Sequence, residues 1–171
     1  MTDLQQEIED FFADYSQRWN SQDYASLGEC WDQDDTQPFY RPMERENFIT
    51  DRESLRKYWN PVPGKRVIGG LWNVYTNLKP KLVGADVVVV TFDLEWDLKP
   101  PGPGLPVGGT DPGMAVLKKT AQGWRMVAYV EACMSPITYV RKMFEQQARP
   151  SFIDFLRQRE AENEARDPAA K

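Results

Sequence analysis

The side chains that could do chemistry in this chain are tyrosines, arginines, lysines and carboxylates, because the sequence has no histidine. Without an imidazole there can be no His–Asp dyad, no Ser-His-Asp triad and no histidine-ligated metal. Only a carboxylate–oxygen metal site would remain open. The glycines between residues 102 and 109 lack the strand–glycine–helix context of a phosphate-binding loop. We therefore expect neither a metal nor another cofactor.

Aromatic side chains are abundant, with six Trp, seven Tyr and eight Phe. The period of the elements that carry them predicts that several face inward, and these are Trp19, Trp31, Tyr58, Trp59, Phe92 and Trp96. Small residues oppose them on the last predicted strands, at Ala115, Ala128 and Ala132. Large rings facing alanines would leave a slot for a flat aromatic or polycyclic ligand. A plain aromatic core is the alternative.

Polar candidates cluster after residue 38. Arg41, if it pointed into an apolar cavity, would bind a carboxylate, phenolate or enolate where its charge is least screened. The alternative is a solvated edge arginine. Tyr40 would line the mouth of the same cavity. Glu44 and Glu46 follow in a loop that could fold over the cavity, and each is a candidate general base or a solvated carboxylate.

Three helices are predicted to hold the first of these residues. Apolar residues at helical spacing predict a first helix over residues 2–19, broken by the polar segment 20–23. A short second helix follows from an Asp23 cap. A capping box at Thr50–Glu53 opens a third helix that ends before Pro61. Pro38 and Pro42 restrict any strand between them to a sheet edge.

From residue 66 the hydrophobic period changes to two, which predicts strands. We expect strands over 67–83, with an interruption near Pro80, and over 87–98. The five Gly and five Pro of residues 99–113 predict a long loop, either a lid or a dimer arm. A last hairpin over 114–120 and 124–134 would turn Ala128, Val130 and Ala132 inward and Tyr129 and Glu131 outward.

The second of these strands also carries three acidic residues, which are Asp93, Glu95 and Asp97. Their alternation with Phe92 and Trp96 predicts that they face away from the cavity. Two further helices, over about 135–147 and 150–162, are expected to close the chain. The predicted fold class is therefore α+β, with a curved antiparallel sheet wrapped around the N-terminal helices and extra C-terminal helices.

Length and composition set the organisation of the chain. Its 171 residues, 41% apolar and 27% charged, are typical of one globular domain. We expect a domain over 1–136, a helical extension over 137–162 and a disordered tail over 163–171. The net charge of −5 argues against nucleic acid as a partner. The N-terminus is acidic and the longest apolar run, 126–130, is too short to span a bilayer, so we expect no membrane association and a cytoplasmic location. Cys30 and Cys133 would then be reduced, buried thiols.

Several motifs resemble those of the NTF2-like superfamily, in its SnoaL-like and ketosteroid-isomerase-like group. They are the helix-breaking segment 19–24 with Trp31 and Asp34, the pair Asn77-Leu78 ahead of the turn at 84–86, and the Gly-Trp-Arg-Met-Val segment at 123–127. The resemblance covers about residues 4–135. It implies a cone-shaped α+β fold with one apolar pocket, and a homodimer formed through the convex face of the sheet. It does not imply one reaction, because this fold hosts many functions.

The resemblance also implies roles for individual residues. Tyr15 stands where ketosteroid isomerases place an oxyanion-donating tyrosine, and a core tyrosine is the alternative. No carboxylate stands at their general-base position, near Arg41, and Ala115 replaces their second oxyanion donor. The related dehydratases place an Asp at the position of Asn20 and pair it with a His, and both are absent here. Asn20 could still orient a substrate hydroxyl, or simply cap its helix.

The function predicted from these observations is acid–base chemistry without a cofactor on a small aromatic or polycyclic molecule, phenols included, in a lyase, dehydratase or isomerase step. Tyr15, Arg41 and Tyr40 are the predicted catalytic residues. The predicted substrate-binding residues are Trp19, Asn20, Trp31, Tyr58, Trp59, Phe92, Trp96 and Ala128. Two alternatives stay open. One is a non-catalytic ligand-binding module, and the other is a structural small subunit like those of ring-hydroxylating dioxygenases.

Overall fold

The structure is a computed structural model that describes residues 4–65, 68–100, 102–103, 105–132, 149–152, 154–155 and 157–158. The chain divides into two compact units, Met1–Cys133 and Met134–Lys171. In the second unit, the described positions from 150 to 158 are helical, and the rings of Phe152 and Phe155 stack with centroids 6.1 Å apart. The predicted helix over 135–147, the predicted tail over 163–171 and Cys133 lie outside the described residues.

The helices of the first unit begin and end close to the predicted positions. Helix α1 spans Leu4–Asn20 and helix α2 spans Arg52–Trp59, with a 3₁₀ turn at Ser26–Cys30 where a short helix was expected. The cap of α2 is Asp51 rather than Thr50, because the Asp51 carboxylate accepts a hydrogen bond from the Ser54 amide at 2.8 Å. The buried face of α1 consists of Ile8, Phe12, Tyr15 and Trp19.

Five strands form one curved sheet in the order β1-β5-β4-β3-β2. Their ranges are Phe39–Arg41 for β1, Gly70–Leu82 for β2, Val87–Lys99 for β3, Val107–Thr120 for β4 and Gly123–Glu131 for β5. The expected antiparallel sheet is in fact mixed, because β1 pairs with β5 in parallel. A parallel pair needs a long crossover connection, and α2 with the three strands that follow it supplies one. The short β1 lies at the sheet edge, as its flanking prolines require.

The glycine-rich segment 99–113 is a loop only in its first part. Residues 107–113 continue β4 and pair with β3, from Val107 opposite Leu98 to Gly113 opposite Phe92. Glycine permits this pairing because it leaves room for a large ring of β3 to lie over the backbone of β4. A Cβ at Gly113 would lie 2.2 Å from the Phe92 ring. The expectation of a lid or dimer arm across the whole segment is therefore wrong.

A β-bulge in β5 reverses the predicted facing of its C-terminal half. Val116 pairs with Ala128, but the next residue of β4 pairs with Met126, so Val127 is an extra residue in β5. Beyond the bulge, Tyr129 and Glu131 are buried, whereas Ala128 and Val130 are half-buried on the outer face and Ala132 is exposed. The predictions of an inward Ala128 and an outward Glu131 are both wrong, because one inserted residue turns every side chain after it to the opposite face of the sheet. On β3, which has no such shift, the apolar residues from Val88 to Leu94 face inward as predicted.

Candidate active site

An apolar cavity of about 340 Å³ lies on the concave side of the sheet in the first unit. This volume falls within the range of about 300–1,000 Å³ that is usual for small-molecule sites. Its walls come from α1, β1 and the loop after it, α2 and the inward faces of β2, β3 and β5. Its polar groups include the carboxylates of Glu44 and Glu131 and four tyrosine hydroxyls, which are those of Tyr40, Tyr58, Tyr75 and Tyr129.

Glu131 is the buried carboxyl group of this cavity, with only 7% of its surface exposed. Its Oε1 accepts a hydrogen bond from the Tyr129 hydroxyl at 2.9 Å, and its Oε2 accepts one from the Met43 amide at 2.9 Å. The pKa of the Glu131 carboxyl is raised to about 7: burial is the largest cause, the two hydrogen bonds oppose it, and the negative charges of Glu44 and Asp111 add to it. A carboxyl group with this pKa can both accept and donate a proton near neutral pH.

A second tyrosine extends the hydrogen bond of Glu131 along the cavity wall. The hydroxyls of Tyr75 and Tyr129 lie 3.1 Å apart. Since Tyr129 donates its proton to Glu131, Tyr75 must be the donor to Tyr129 when Glu131 is ionised. Burial raises the pKa of both phenols well above 10, so both hydroxyls keep their protons.

The ring of Tyr129 is fixed from both sides. Tyr40 stacks on one face with centroids 5.4 Å apart, and Phe92 stacks on the other at the same distance. Tyr40 reaches this position because β1 pairs in parallel with β5, which puts Tyr40 directly opposite Tyr129. A ring held in this way presents its hydroxyl in one direction only, which fixes the geometry of the Tyr75–Tyr129–Glu131 chain.

Two further pairs border the cavity. Tyr58 of α2 donates a hydrogen bond to the Glu44 carboxylate, and its ring packs on Tyr40 with centroids 5.4 Å apart. Trp96 of β3 donates from its indole Nε1 to the Asp111 carboxylate at 2.6 Å. Asp111 is itself 5% exposed. This buried carboxylate therefore fixes the orientation of the indole ring in the cavity wall.

Four of the predicted site residues line the cavity together, and they are Trp19, Tyr40, Tyr58 and Trp96. Arg41 does not line it. Arg41 follows Tyr40 on β1 and so lies on the opposite face, where it donates a hydrogen bond to the Glu131 carbonyl oxygen at 3.3 Å. The expectation that Arg41 points into the cavity is therefore wrong.

Tyr15 is fully buried beneath the cavity wall and does not line the cavity. Its ring lies 5.9 Å from that of Tyr75 and 6.2 Å from that of Tyr129. Burial raises the pKa of Tyr15 well above 10, and no group of the described residues completes a hydrogen bond with its hydroxyl. Its predicted role as an oxyanion donor stays a prediction.

The side-chain amide of Asn20 is hydrogen-bonded to the backbone of β2. Its Nδ2 donates to the Asn73 carbonyl oxygen at 3.0 Å, and its Oδ1 accepts from the Asn73 amide at 2.6 Å. The amide group of Asn20 thus ties the end of α1 to β2 and is not directed at the cavity. Trp31 and Trp59 pack against each other in the core, with centroids 5.7 Å apart, and neither lines the cavity. Phe92 does not line the cavity but packs on Tyr129 and Tyr75, which do, and Ala128 lies on the outer face.

The residues that sequence reasoning missed are Glu131, Tyr129 and Tyr75. Glu131 and Tyr129 were assigned to the outer face because the bulge at Val127 leaves no mark in the alternation of β5. Tyr75 lies in a strand whose own register shifts between Thr76 and Lys79. Of the two loop carboxylates predicted as candidate bases, Glu44 lines the cavity and Glu46 does not.

The structure also bears on the predictions for Cys30, for a metal site and for a membrane-spanning helix. Cys30 is buried, and burial raises the pKa of its thiol to about 12. Within the part of the chain that the structure describes, no group of three or more Cys, Asp or Glu residues could hold a metal ion. Over the same residues, no helix has the length and apolar character needed to cross a bilayer.

No protein family model matches the chain, and no curated protein sequence matches it. Solved structures do. A "putative scytalone dehydratase" from Novosphingobium aromaticivorans superposes with a TM-score of 0.66 at 12% identity, over 76% of this chain and 83% of that one. A "putative dehydratase from the NTF2-like family" of Streptomyces avermitilis gives 0.65 at 13% identity, over 77% and 96%. A CaMKII hub homology domain from Chlamydomonas reinhardtii gives 0.60 at 14% identity, over 75% and 97%.

These identities are too low to carry a function across, but the TM-scores are those of a shared fold. They agree with the curved sheet and the helices on its concave side described above. The chain therefore has the NTF2-like fold that its sequence motifs predict.

Proposed function

We propose that this protein is an enzyme that carries out acid–base chemistry without a cofactor on a small aromatic or polycyclic molecule, in a lyase, dehydratase or isomerase step. The observation that carries the proposal is Glu131, a buried carboxyl group with a pKa of about 7 that faces an aromatic cavity. Perturbed carboxyl groups in apolar cavities are frequent at catalytic sites. In this proposal Glu131 is the general base, in place of the loop carboxylates Glu44 and Glu46 that the sequence offered as candidates.

The Tyr75–Tyr129–Glu131 chain can relay a proton in either direction. With Glu131 ionised, each hydroxyl donates toward the carboxylate, so the Tyr75 oxygen is left to accept a proton from a substrate hydroxyl. With Glu131 protonated, the donors reverse and Tyr75 donates to a substrate oxygen. The same residues therefore serve as base and as acid in successive steps.

The proposed step begins on a carbon next to a carbonyl group. The Glu131 carboxylate removes a proton from that carbon, so the C–H bond breaks, an O–H bond forms on Glu131, and the electron pair moves to the carbonyl oxygen. A tyrosine hydroxyl of the cavity donates a hydrogen bond to the resulting enolate. The proton is then returned to a leaving hydroxyl, which departs as water, or to a second carbon, which completes an isomerisation.

Two of the similar structures are consistent with this proposal, because the names of those proteins call them putative dehydratases. In this proposal Tyr75 and Tyr129 take over the oxyanion-stabilising role predicted for Arg41, whose guanidinium lies on the other face of β1. Tyr40 supports the ring of Tyr129 by stacking rather than moving a proton itself. Trp19, Tyr58 and Trp96 supply flat walls for an aromatic substrate.

The test is proton exchange into a probe ketone. The full chain is incubated with 2-tetralone, a flat bicyclic ketone, in deuterated buffer at pH 7, and loss of the α-protons is followed by ¹H NMR. We expect exchange above the buffer rate, and we expect Glu131→Gln to slow it by about 10²–10⁴-fold. Glu46→Gln is the matched control, because Glu46 is exposed in the loop beside the cavity and does not line it.

Equal exchange by the wild type and Glu131→Gln would overturn the role of Glu131. No exchange above buffer, with 2-tetralone nevertheless raising the melting temperature, would favour the ligand-binding alternative. Neither exchange nor a thermal shift would favour the structural-subunit alternative. Binding is detectable because a ligand at 100 times its dissociation constant stabilises a protein by about 2.7 kcal/mol.

The homodimer is proposed on narrower grounds. The outer face of the sheet exposes large apolar side chains, among them Trp72 at 58% and Met114 at 43%. Paired copies of this face would cover them. The name of one similar structure, a hub homology domain, is in keeping with an oligomer. Sedimentation of the wild type and Trp72→Glu tests the proposal, since only the wild type should sediment as a dimer.

A further inference from the structure

The described lining of the cavity combines aromatic rings with carboxylates and contains no Lys or Arg. Six aromatic side chains contribute to it, and they are Trp19, Tyr40, Tyr58, Tyr75, Trp96 and Tyr129. The carboxylates are Glu131 in the wall and Glu44 in the loop after β1. The faces of aromatic rings are electron-rich and attract cations, tryptophan most strongly. A lining of this kind favours positive charge and disfavours negative charge.

The carboxylates in and beside the cavity wall repel one another. The carboxylates of Glu44 and Asp111 both raise the pKa of Glu131, so their fields reach the same part of the wall. Arg41, which could have balanced them, contacts the Glu131 carbonyl oxygen from the outer face of β1. A ligand cation would lower the electrostatic cost of placing these carboxylates together. A ligand carboxylate would raise it.

One ring of the cavity already holds a cation. The guanidinium of Arg45 lies 5.8 Å from the centroid of the Tyr58 ring. Tyr58 also donates its hydroxyl proton to Glu44, which fixes this carboxylate at the edge of the cavity. Ring and carboxylate together provide what a protonated amine needs, namely a negative oxygen beside an aromatic face.

We propose that the substrate of this cavity carries a positively charged nitrogen, as a protonated amine or ammonium group attached to a flat ring system. The inference rests on the proposed function in that it names the substrate class of the same site. Glu44 pairs with the charged nitrogen and is the specificity-determining residue, while the ring system lies against Trp96 and Tyr40. Glu131 stays free for the proton transfer. Phenolates and aromatic carboxylates are excluded by charge.

The experiment compares three probes that share one ring system and differ in charge: 2-naphthylmethylamine, 2-naphthalenemethanol and 2-naphthoate. Their dissociation constants for the full chain are measured by calorimetry at pH 7.5 and low salt. We expect the amine to bind about tenfold more tightly than the alcohol, and the carboxylate to bind least tightly. Added salt should weaken amine binding and leave alcohol binding unchanged.

The assignment of Glu44 is tested with Glu44→Gln. This variant should bring the affinity of the amine close to that of the alcohol without changing the affinity of the alcohol. Glu46→Gln, the matched control, should leave both affinities as in the wild type. The inference is overturned if the amine does not bind, if the amine and the alcohol bind equally, or if 2-naphthoate binds as tightly as the amine. An unchanged amine-to-alcohol ratio in Glu44→Gln overturns the role of Glu44.

These outcomes can be separated from failure of the proposed function. A chain that binds the amine selectively but does not exchange the protons of 2-tetralone would keep the charge preference and lose the enzyme. A chain that exchanges those protons but binds the three probes without regard to charge would keep the enzyme and lose the inference.

Discussion

The hydroxyl of Tyr129 donates a hydrogen bond of 2.9 Å to the carboxylate of Glu131, two residues further along the same strand. The two side chains share a face of β5 because they are two residues apart, and the bulge at Val127 turns that face toward the cavity. The hydrogen bond favours the ionised carboxyl group and so opposes the effect of burial on its pKa. Burial is the largest influence on the pKa of Glu131, and the Tyr129 hydroxyl, together with the Met43 amide, moderates it.

Replacing Tyr129 with Phe should raise the pKa of Glu131 above about 7, because the carboxylate loses a donor while it stays buried. A ¹³C NMR titration of glutamate-labelled protein measures this pKa directly and does not depend on activity. Tyr58→Phe is the matched control, since Tyr58 lines the same cavity but donates to Glu44. An unshifted Glu131 resonance in Tyr129→Phe would remove the tyrosine from this account.

The stability of the protein should fall as pH rises from 5 to 8. The pKa of Glu131 is about 7 in the folded chain and 4.5 when unperturbed, so between these values the folded state binds more protons than the unfolded state. The free energy of unfolding then decreases with pH, by about 2 to 3 kcal/mol from this one group. Urea unfolding at pH 5 and pH 8 measures this change in the free energy of unfolding. Comparison with Glu131→Gln isolates the contribution of Glu131, because the other titrating groups contribute equally to both proteins.

Glu131→Gln should remove this contribution, so the difference in unfolding free energy between wild type and variant should itself change by about 2 to 3 kcal/mol from pH 5 to pH 8. A difference that is constant with pH would mean that Glu131 titrates alike in the folded and unfolded chains.

Asn20→Asp should destabilise the fold by about 1–3 kcal/mol. The new carboxylate could still accept from the Asn73 amide but would face the Asn73 carbonyl oxygen with no proton between them. Gln17→Glu is the control, because it adds the same charge to the last turns of α1 at an exposed position. Urea unfolding of both variants gives the comparison, and equal stability would show that the tie between α1 and β2 contributes nothing beyond charge.

Gly113→Ala should destabilise the protein by about 1–3 kcal/mol, which is typical of an overpacked core. Its Cβ would lie 2.2 Å from the Phe92 ring, and that ring also stacks on Tyr129. Gly84→Ala is the control in a turn, where the nearest atom to a new Cβ is 4.0 Å away. Thermal unfolding of the two variants should differ by several degrees. Similar melting temperatures would mean that Phe92 can move aside without loss.

Local patterns in the sequence were sufficient for most of the elements. The helical period of α1, the prolines that confine β1 to an edge and the unbroken alternation of β3 each depend on residues close together in the chain. Rings that face inward in such elements, such as Trp19 and Trp96, could be assigned to the cavity for the same reason. The resemblance of the motifs to the NTF2-like superfamily then predicted the fold around them.

The position of the Glu131 carboxyl group in the cavity depended on features that no local pattern carries. An inserted residue at Val127 reverses every side chain after it, and the alternation of Ala128, Tyr129 and Val130 is the same with or without that insertion. The glycine-rich composition of this part of β4 predicts a loop. It is compatible with a strand because rings of β3 pack over glycines there, and that packing is visible only in the folded structure.

The sequence by itself determined α1, α2, β2, β3 and the aromatic character of the cavity, because these follow from periodicity and composition over short stretches. Only the tertiary structure decided which polar groups enter the cavity. The pKa of Glu131 there depends on a hydroxyl from its own strand, an amide from the loop after β1 and the charges of Glu44 and Asp111. Hydrogen bonding and desolvation are properties of the space around a group, and that space forms only when distant segments of the chain come together.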